Sequence, residues 1–367
     1  TQYNYDFGAP TRIQDPKGSV QTITYDSAAR LLPHTNQTTG AYTRWEYATA
    51  NTFIAAFRTV EAGQGEAFEG TAFDGMGRYR STQREMPGSV GGYSATTTSY
   101  DVMGRTKDKS NPTEMTAYWI PSGDDAATGF VWTTYTYDWN GRPAVTTNPD
   151  GSTRENTYSG CGGCAGSDQT TARDEQGRRK RYTKDIAGRL IKVEELNWDQ
   201  TVYSTTNNTY NVRDQLTNIN QEGLQRSFTY DGYGRTATRT TPEQGTTTYT
   251  HYNNDLLQTV TDARGAITTF LYNARHLVTN MNYTVSGSVA ATPNVTYGYD
   301  SVGNRTSMTD GLGSVSYVYN TDSKLTSETR TFTGLAGSYT LSYGYSLGGQ
   351  LNSITNPWSA QVGYGYD

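Results

Sequence analysis

Cys161 and Cys164, which enclose two glycines in the stretch CGGC, are the residues whose types and spacing most suggest chemistry. A redox-active C-x-x-C pair normally opens a helix, whose N-terminus lowers the thiol pKa, but no helical pattern follows here. A structural zinc ion needs about four ligands, and the chain offers only three histidines besides the two cysteines. We interpret residues 159–167 as a loop between hairpins that holds a local disulfide. The alternative is a pair of reduced thiols in a glycine turn.

Carboxylates and histidines are the other candidates for a catalytic or metal site. The aspartates recur singly, each at a turn, whereas a calcium ion takes six to eight oxygen ligands. The loop GDDAATG at 123–129 concentrates carboxylates, and its composition is typical of a solvated insertion. His251 and His276 have no nucleophile at a matching spacing. We predict no catalytic residue, no metal and no cofactor, and therefore a protein that is not an enzyme.

Aromatic side chains could instead form a binding surface. The chain contains 30 tyrosines and 6 tryptophans, whose rings combine an apolar face with a polar edge and suit interfaces. Exposed clusters around Trp119, Trp132 and Trp139 would support binding of a cell-surface glycan or protein. The same tyrosines can simply pack hairpin against hairpin, and we favour this interpretation.

One short motif, clearest as YDGYGRT from Tyr230, returns along the whole chain, whereas a catalytic motif normally occurs once. An aromatic residue is followed by Asp or Asn, two variable residues, Gly, and then Arg or Leu; many intervals are about 20 to 22 residues. The clearest copies are Tyr100-Asp101 with Gly104-Arg105, Tyr137-Asp138 with Gly141-Arg142, Tyr230-Asp231 with Gly234-Arg235, and Tyr299-Asp300 with Gly303 and, after one extra residue, Arg305.

These residue types predict hairpins. A second aromatic residue often stands two positions before the first, as Phe228 does before Tyr230, so that both rings lie on one face of a strand. Asp and Asn start turns by bonding nearby backbone N–H groups, and Gly accepts a positive φ. A second turn signal follows about ten residues later, for example PEQG at 242–245. Thr, Val, Tyr and Ser between the turns favour strands, so the sequence predicts an all-β, solenoid-like series of repetitive hairpins, each stacking on its neighbours.

Composition limits the classes of partner. Hydrophobic residues make up 34%, charged residues 18% and aromatic residues 12% of the 367 positions, and the aromatic content argues against disorder. The net charge is −5 and no basic stripe runs along the chain, which argues against a nucleic-acid partner. No apolar stretch approaches the roughly 20 residues of a membrane-spanning helix, so we expect no membrane span.

Tyr-Asp-x-x-Gly-Arg units at this interval resemble the YD repeats of the RHS (rearrangement hotspot) family, related to toxin-complex shell proteins, wall-associated proteins and teneurins. The resemblance covers essentially the whole chain. It implies strands wound in a spiral that forms a hollow shell or barrel, which encloses a C-terminal toxin domain in some members and serves as an extracellular scaffold in others. The family's self-cleaving core segment and a toxin-like tail are not found here, so neither self-cleavage nor toxicity is carried over.

We expect residues 1–367 to form a single YD-repeat array. Residues 48–70 and 106–133 break the rhythm and are predicted to be long hairpin or loop insertions. The chain opens with YNYD and closes with GYGYD, in the same repeat phase and without evident capping units. Because repeat arrays normally need caps, we expect an excerpt of a longer chain, whose ends meet flanking repeats or other copies.

These observations together predict a non-enzymatic structural scaffold, secreted or on the cell surface, that self-associates into a tube or filament. Two alternatives stay open. One is a shell that encloses and delivers a C-terminal toxin, and the other is an adhesin or glycan-binding module.

Overall fold

The computed structural model describes residues 1–48, 52–60, 65–116, 120–160, 168–285 and 291–366. Within these ranges the chain forms 32 β-strands, assigned to one antiparallel sheet, and a short 3₁₀ turn at Gly123–Ala126; they contain no α-helix. The predicted all-β fold of successive hairpins is therefore confirmed. Among the same residues, no helix has the length and apolar character needed to cross a membrane.

The first strands are β1 (Gln2–Tyr3), β2 (Pro10–Gln14), β3 (Val20–Tyr25), β4 (Leu31–Asn36), β5 (Tyr42–Tyr47), β6 (Phe53–Thr59), β7 (Glu66–Phe73), β8 (Tyr79–Glu85), β9 (Tyr93–Tyr100), β10 (Thr106–Ser110) and β11 (Thr113–Met115). The middle strands are β12 (Trp132–Tyr137), β13 (Pro143–Thr147), β14 (Thr153–Ser159), β15 (Asp168–Arg173), β16 (Arg179–Lys184), β17 (Leu190–Leu196), β18 (Val202–Tyr210), β19 (Leu216–Gln221), β20 (Leu224–Tyr230), β21 (Thr236–Thr241), β22 (Gly245–His251), β23 (Leu257–Thr261), β24 (Ile267–Tyr272) and β25 (Val278–Thr284). The last strands are β26 (Val295–Tyr299), β27 (Arg305–Asp310), β28 (Gly313–Tyr319), β29 (Leu325–Phe332), β30 (Ser338–Tyr345), β31 (Leu351–Thr355) and β32 (Gln361–Gly363).

The chain divides into two compact units. Unit 1 combines Thr1–Trp132 with Thr296–Asp367, and unit 2 is Thr133–Val295. The first and the last repeats of the chain therefore belong to the same unit, although most of the sequence lies between them.

Unit 2 is a meander in which each strand from β13 to β25 pairs with the next. Ladders closed by the YD motif carry a bulge at that end; Tyr230, for example, pairs with Thr236 one residue out of step. The turns that the motif forms, here called YD turns, therefore lie together at one end of the strands, called here the YD edge. The alternate connections, here called second turns, lie at the opposite end of the strands, called here the second-turn edge.

Unit 1 has the same meander in its first nine strands and again from β26 to β32. Strand β9 pairs with β8 on one side and with both β10 and β11 on the other. The segment 48–70 contributes β6 and part of β7, which pair with each other, and the segment 106–133 contains β10, β11 and the 3₁₀ turn.

Few side chains of the described residues are fully buried, because a thin sheet leaves most of them half exposed. The buried apolar side chains are small or flexible, such as Ala55, Ala95 and Met115. Cross-strand threonine pairs bind hydroxyl to hydroxyl, as between Thr229 and Thr238 at 2.7 Å, and such pairs stabilise a ladder modestly. Stability therefore has to come from contacts that every hairpin repeats.

Candidate functional site

The YD turn is the repeated structural site, and Asp231 shows its geometry. The Asp231 N–H donates to the Arg235 carbonyl at 2.9 Å, and the Gly234 N–H donates to the Asp231 carbonyl at 3.0 Å. The carboxylate Oδ1 accepts the backbone N–H groups of Tyr233 and Arg235, both at 2.9 Å. Gly234 has φ +89°, a region that L side chains rarely adopt. In this copy, the Asp and Gly of the motif thus form the turn itself.

The arginine of the motif closes the turn through a contact called here the clip. Arg235 donates from Nε to the free Oδ2 of Asp231 at 2.7 Å. The same pairing joins Asp26–Arg30, Asp74–Arg78, Asp101–Arg105, Asp138–Arg142 and Asp185–Arg189. The hydrogen bond from Arg189 is the main reason that the pKa of Asp185 lies below its ordinary value. This arginine is the last residue of the turn, and the return strand begins at the next residue.

The tyrosine of the motif ties one hairpin to the preceding one through a contact called here the latch. Its hydroxyl donates to the carbonyl of the first residue after the preceding YD turn, as Tyr210 does to Leu190 at 2.8 Å. Further latches are Tyr47 to Leu31, Tyr100 to Tyr79, Tyr158 to Pro143, Tyr230 to Leu216, Tyr272 to Leu257, Tyr319 to Arg305, Tyr345 to Leu325 and Tyr366 to Leu351. Burial raises the pKa of Tyr158 and of Tyr319.

Consecutive YD turns also bind one another. Arg189 reaches Asp214 in the next turn at 2.7 Å, and Arg235 likewise reaches Asp255 at 2.8 Å. Both acceptors stand where other copies have Gly and have φ of 61° and 66°. Their left-handed backbone is one that Asp tolerates better than most residues, and their side chains accept the arginine of the preceding turn.

The repeat residues singled out from the sequence fall into two groups. Those around Asp101, Asp138 and Asp231 form clipped turns. The copy at Asp300 does not, because Asn304 stands in the arginine position and Arg305 is already in β27, opposite Tyr299. The motif there has no extra residue.

The repeat around Tyr252 is also shifted relative to the aromatic pattern of the sequence. His251, which ends β22 and pairs with Leu257, occupies the tyrosine position. Tyr252 then occupies the aspartate position, with its N–H donated to the Leu256 carbonyl at 2.8 Å. This repeat therefore begins one residue earlier than the aromatic pattern indicates.

Asp300 obtains its cation from a distant part of unit 1. Lys17, in the second turn after β2, places Nζ 3.0 Å from Oδ2 of Asp300, with the two side chains only 17% and 19% exposed. Lys17 also lies over the ring of Tyr319 and donates to the Asn320 carbonyl at 3.4 Å. Burial raises the pKa of Asp300, but hydrogen bonds from Lys17 and Asn304 outweigh it and hold that pKa well below its usual range.

Two further pairs of turns continue this line of contact. Asp322, in the YD turn after β28, accepts Asn36 Nδ2 at 2.8 Å and Ser19 Oγ at 3.4 Å. The Gly348 N–H, in the YD turn after β30, donates to the Val60 carbonyl at 2.7 Å. These contacts, here called the seam, join three successive second turns at the start of the chain to three successive YD turns between residues 300 and 350.

Gly348 is required by the closeness of the seam. A Cβ at this position would lie 2.6 Å from the Thr59 carbonyl oxygen and 2.8 Å from that of Val60. Both atoms belong to the backbone and cannot move aside cheaply. The seam is therefore a fitted contact between backbones as well as an ionic one.

The remaining candidates from the sequence do not assemble into a catalytic group among the described residues. Cys161, Cys164 and Trp119 lie outside those residues. Trp132 and Trp139 are 36% and 92% exposed, and His276 occupies a turn position with φ 63°. In the described ranges, no group of three or more His, Cys, Asp or Glu side chains could hold a metal ion.

An open depression of about 800 Å³ in unit 2 is lined in part by Arg154, Lys180, Tyr182 and Tyr203. Two of its cations are paired, because Lys180 contacts Glu195 at 2.8 Å and Arg154 contacts Glu175.

No protein-family model and no curated protein matches the chain. A crystal structure of TcdB2-TccC3 has a TM-score of 0.45 and 15% identity over 99% of this chain and 24% of that one. The Photorhabdus luminescens Tc holotoxin pore gives 0.44 and 15% over 95% and 22%. A porin-like protein from Bacteroides uniformis gives 0.23 and 14% over 66% and 95%. This chain thus spans about a quarter of the TcdB2-TccC3 chain, and at such low similarity no family membership follows.

Proposed function

We propose that this chain is a non-enzymatic structural scaffold, the wall of a YD-repeat array that acts outside the cell or on its surface. The observation that carries the proposal is the latch, which joins hairpin to hairpin from Tyr47 to Tyr366. A binding or catalytic group is normally built once, whereas this contact recurs in many repeats along the chain. Its evident role is to hold neighbouring hairpins together.

The seam supports the same function. It binds residues 303 positions apart in sequence, Lys17 and Asn320, and so connects two separate stretches of the array within unit 1. Contacts of this kind hold the turns at the ends of the hairpins in place. Such turns are otherwise the least constrained elements of the array.

The location outside the cell is supported by two expectations from the sequence. A disulfide between Cys161 and Cys164 would form and persist in an oxidising compartment, and the YD-repeat resemblance implies extracellular or secreted members. A closed shell around a toxin domain is the competing proposal, and a glycan-binding module is a further one.

Electron microscopy of the native material, with mass spectrometry of its chain ends, tests the scaffold proposal. We expect ordered walls, tubes or filaments in which this chain is the main component, accessible to protease on intact cells. Discrete hollow particles that enclose a C-terminal domain would favour the toxin shell. A monomeric protein confined to the cell interior would contradict both, and tight retention on a glycan array by a monomer would favour the adhesin.

A further inference from the structure

Unit 2 carries exposed apolar side chains at the tips of its YD turns. Trp139, Ile186, Val212 and Tyr233 are 92%, 78%, 100% and 86% exposed. Each stands at the first or second position after the Asp or Asn of its turn. Ile186, Val212 and Tyr233 lie in three successive YD turns and form a row of apolar side chains, and apolar rows left in water commonly mark interaction surfaces.

Unit 1 shows what covers such tips. In the YD turns of the seam, Val302 and Leu347 occupy the same tip positions as Tyr233 and Ile186, yet both are only half exposed. The neighbours of those turns across the seam are second turns, represented by Lys17, which pairs with Asp300, and Val60, whose carbonyl accepts from the Gly348 N–H. In the seam, three YD turns are therefore matched by three second turns.

The opposite edge of unit 2 offers a surface of the required kind. It consists of second turns, and Trp198, at the tip of the turn closed by Asn197 and Thr201, is 89% exposed. Unit 2 thus presents YD turns on one side and second turns on the other side of the same meander, with exposed apolar side chains on the first and Trp198 on the second.

We infer that the YD edge of unit 2 docks on the second-turn edge of unit 2 in another copy of this chain. The inference rests on the proposed scaffold function and names the surface through which copies would associate. Burial of Ile186 and Val212 against Trp198 would remove apolar area from water. Because the two edges differ, the interface is heterologous, and repetition of it produces an open-ended stack rather than a closed dimer.

A symmetric contact between two YD edges is the competing arrangement. It would also bury the apolar row, and it would stop at a dimer. The seam favours the heterologous arrangement, because it joins unlike edges at three consecutive pairs of turns.

Sedimentation velocity of the full chain, at increasing protein concentration, distinguishes these arrangements with two blocked variants. Ile186→Asp with Val212→Asp blocks the YD edge, and Trp198→Asp blocks the second-turn edge. All three positions are exposed, so circular dichroism and thermal unfolding should match the wild type. We expect the wild type to form a concentration-dependent series of oligomers and each blocked variant to remain monomeric.

An equimolar mixture of the two blocked variants is the decisive sample. It retains one intact interface, and we expect heterodimers that grow no further. Asn253→Asp adds a similar charge to a polar tip on the YD edge and should associate as the wild type does. Monomeric wild type at every concentration would overturn the inference, and so would dimers formed by Trp198→Asp alone. Neither result would contradict the scaffold proposal, because microscopy of the native material tests that proposal separately.

Discussion

The YD turns at Asp231 and Asp300 share a backbone but obtain their cations from different parts of the chain. In both, the aspartate N–H and the glycine N–H make the same pair of turn hydrogen bonds. Asp231 is then paired by Arg235 of its own turn, and Asp300 by Lys17 of the seam. The turn with Arg at this position is therefore self-contained, and the turn with Asn at the same position binds another element.

The strongest disruption of the seam is expected from Gly348→Val. The added side chain collides with backbone oxygens of Thr59 and Val60, and forced overpacking typically costs about 1–3 kcal/mol. Hydrogen exchange should show faster exchange of the residue 348 amide, with no change around Asp231. Gly363→Val is the matched control, because a Cβ there meets nothing within 4 Å. Unchanged protection at residue 348 would contradict a fitted seam.

Removal of the seam cation is expected to have the next largest effect. Lys17→Met keeps much of the side-chain length but leaves the carboxylate of Asp300 without its charged partner, which should lower the free energy of unfolding by about 1–2 kcal/mol. Lys17→Arg should retain most of the stability. Equilibrium denaturation with a probe in unit 1 measures the loss, and equal stability of Lys17→Met and the wild type would show that the ion pair contributes nothing.

Loss of a single latch should be smaller and similar in the two units. Tyr158→Phe and Tyr319→Phe remove only the hydroxyl that binds Pro143 or Arg305, so each should cost about 1 kcal/mol. Equilibrium urea unfolding of both variants checks this equality. A large effect in one unit and none in the other would mean that the latch is not a general element of the wall.

Alkaline pH should loosen the latches of Tyr158 and Tyr319. The pKa of Tyr158 and that of Tyr319 are raised in the folded chain, so their stabilising contribution is present below the unfolded value of about 10 and is lost as the pH rises through the folded values. Ultraviolet titration of tyrosinate should show these residues ionising above free tyrosine, together with loss of the β-sheet signal. Ionisation of all tyrosines at the free value, with the sheet intact, would contradict the latch.

The hairpins could be predicted from the sequence because their chemistry is local. Asp231 and Gly234 are three residues apart and together determine the turn, so the pattern of residue types carries the structure. The latch could be predicted only in part. The recurring tyrosines predict packing between hairpins, but residue types do not show which carbonyl accepts the hydroxyl.

The repeat pattern of the sequence does not predict the seam, because the seam joins residues such as Asn36 and Asp322, which are 286 positions apart. One local signal did exist. Asn304 interrupts the Gly-Arg pattern, but the spacing indicates an inserted residue before Arg305, because spacing alone does not show which residue the ladder places opposite Tyr299. An aspartate turn that lacks its own arginine is thus a readable sign of an external partner.

This interpretation can be tested by introducing an arginine clip into the YD turn at Asp300. In Asn304→Arg, the new guanidinium should reach Asp300 as Arg235 reaches Asp231, and the carboxylate would then no longer depend on Lys17. The cost of Lys17→Met should therefore fall in this background, with a coupling energy of about 0.5 kcal/mol. A double-mutant cycle from urea unfolding measures this coupling, and Asn304→Gln is the uncharged control. If Lys17→Met costs the same in both backgrounds, the two cations do not compete for Asp300, and the presence of Asn at this position would be unrelated to the seam.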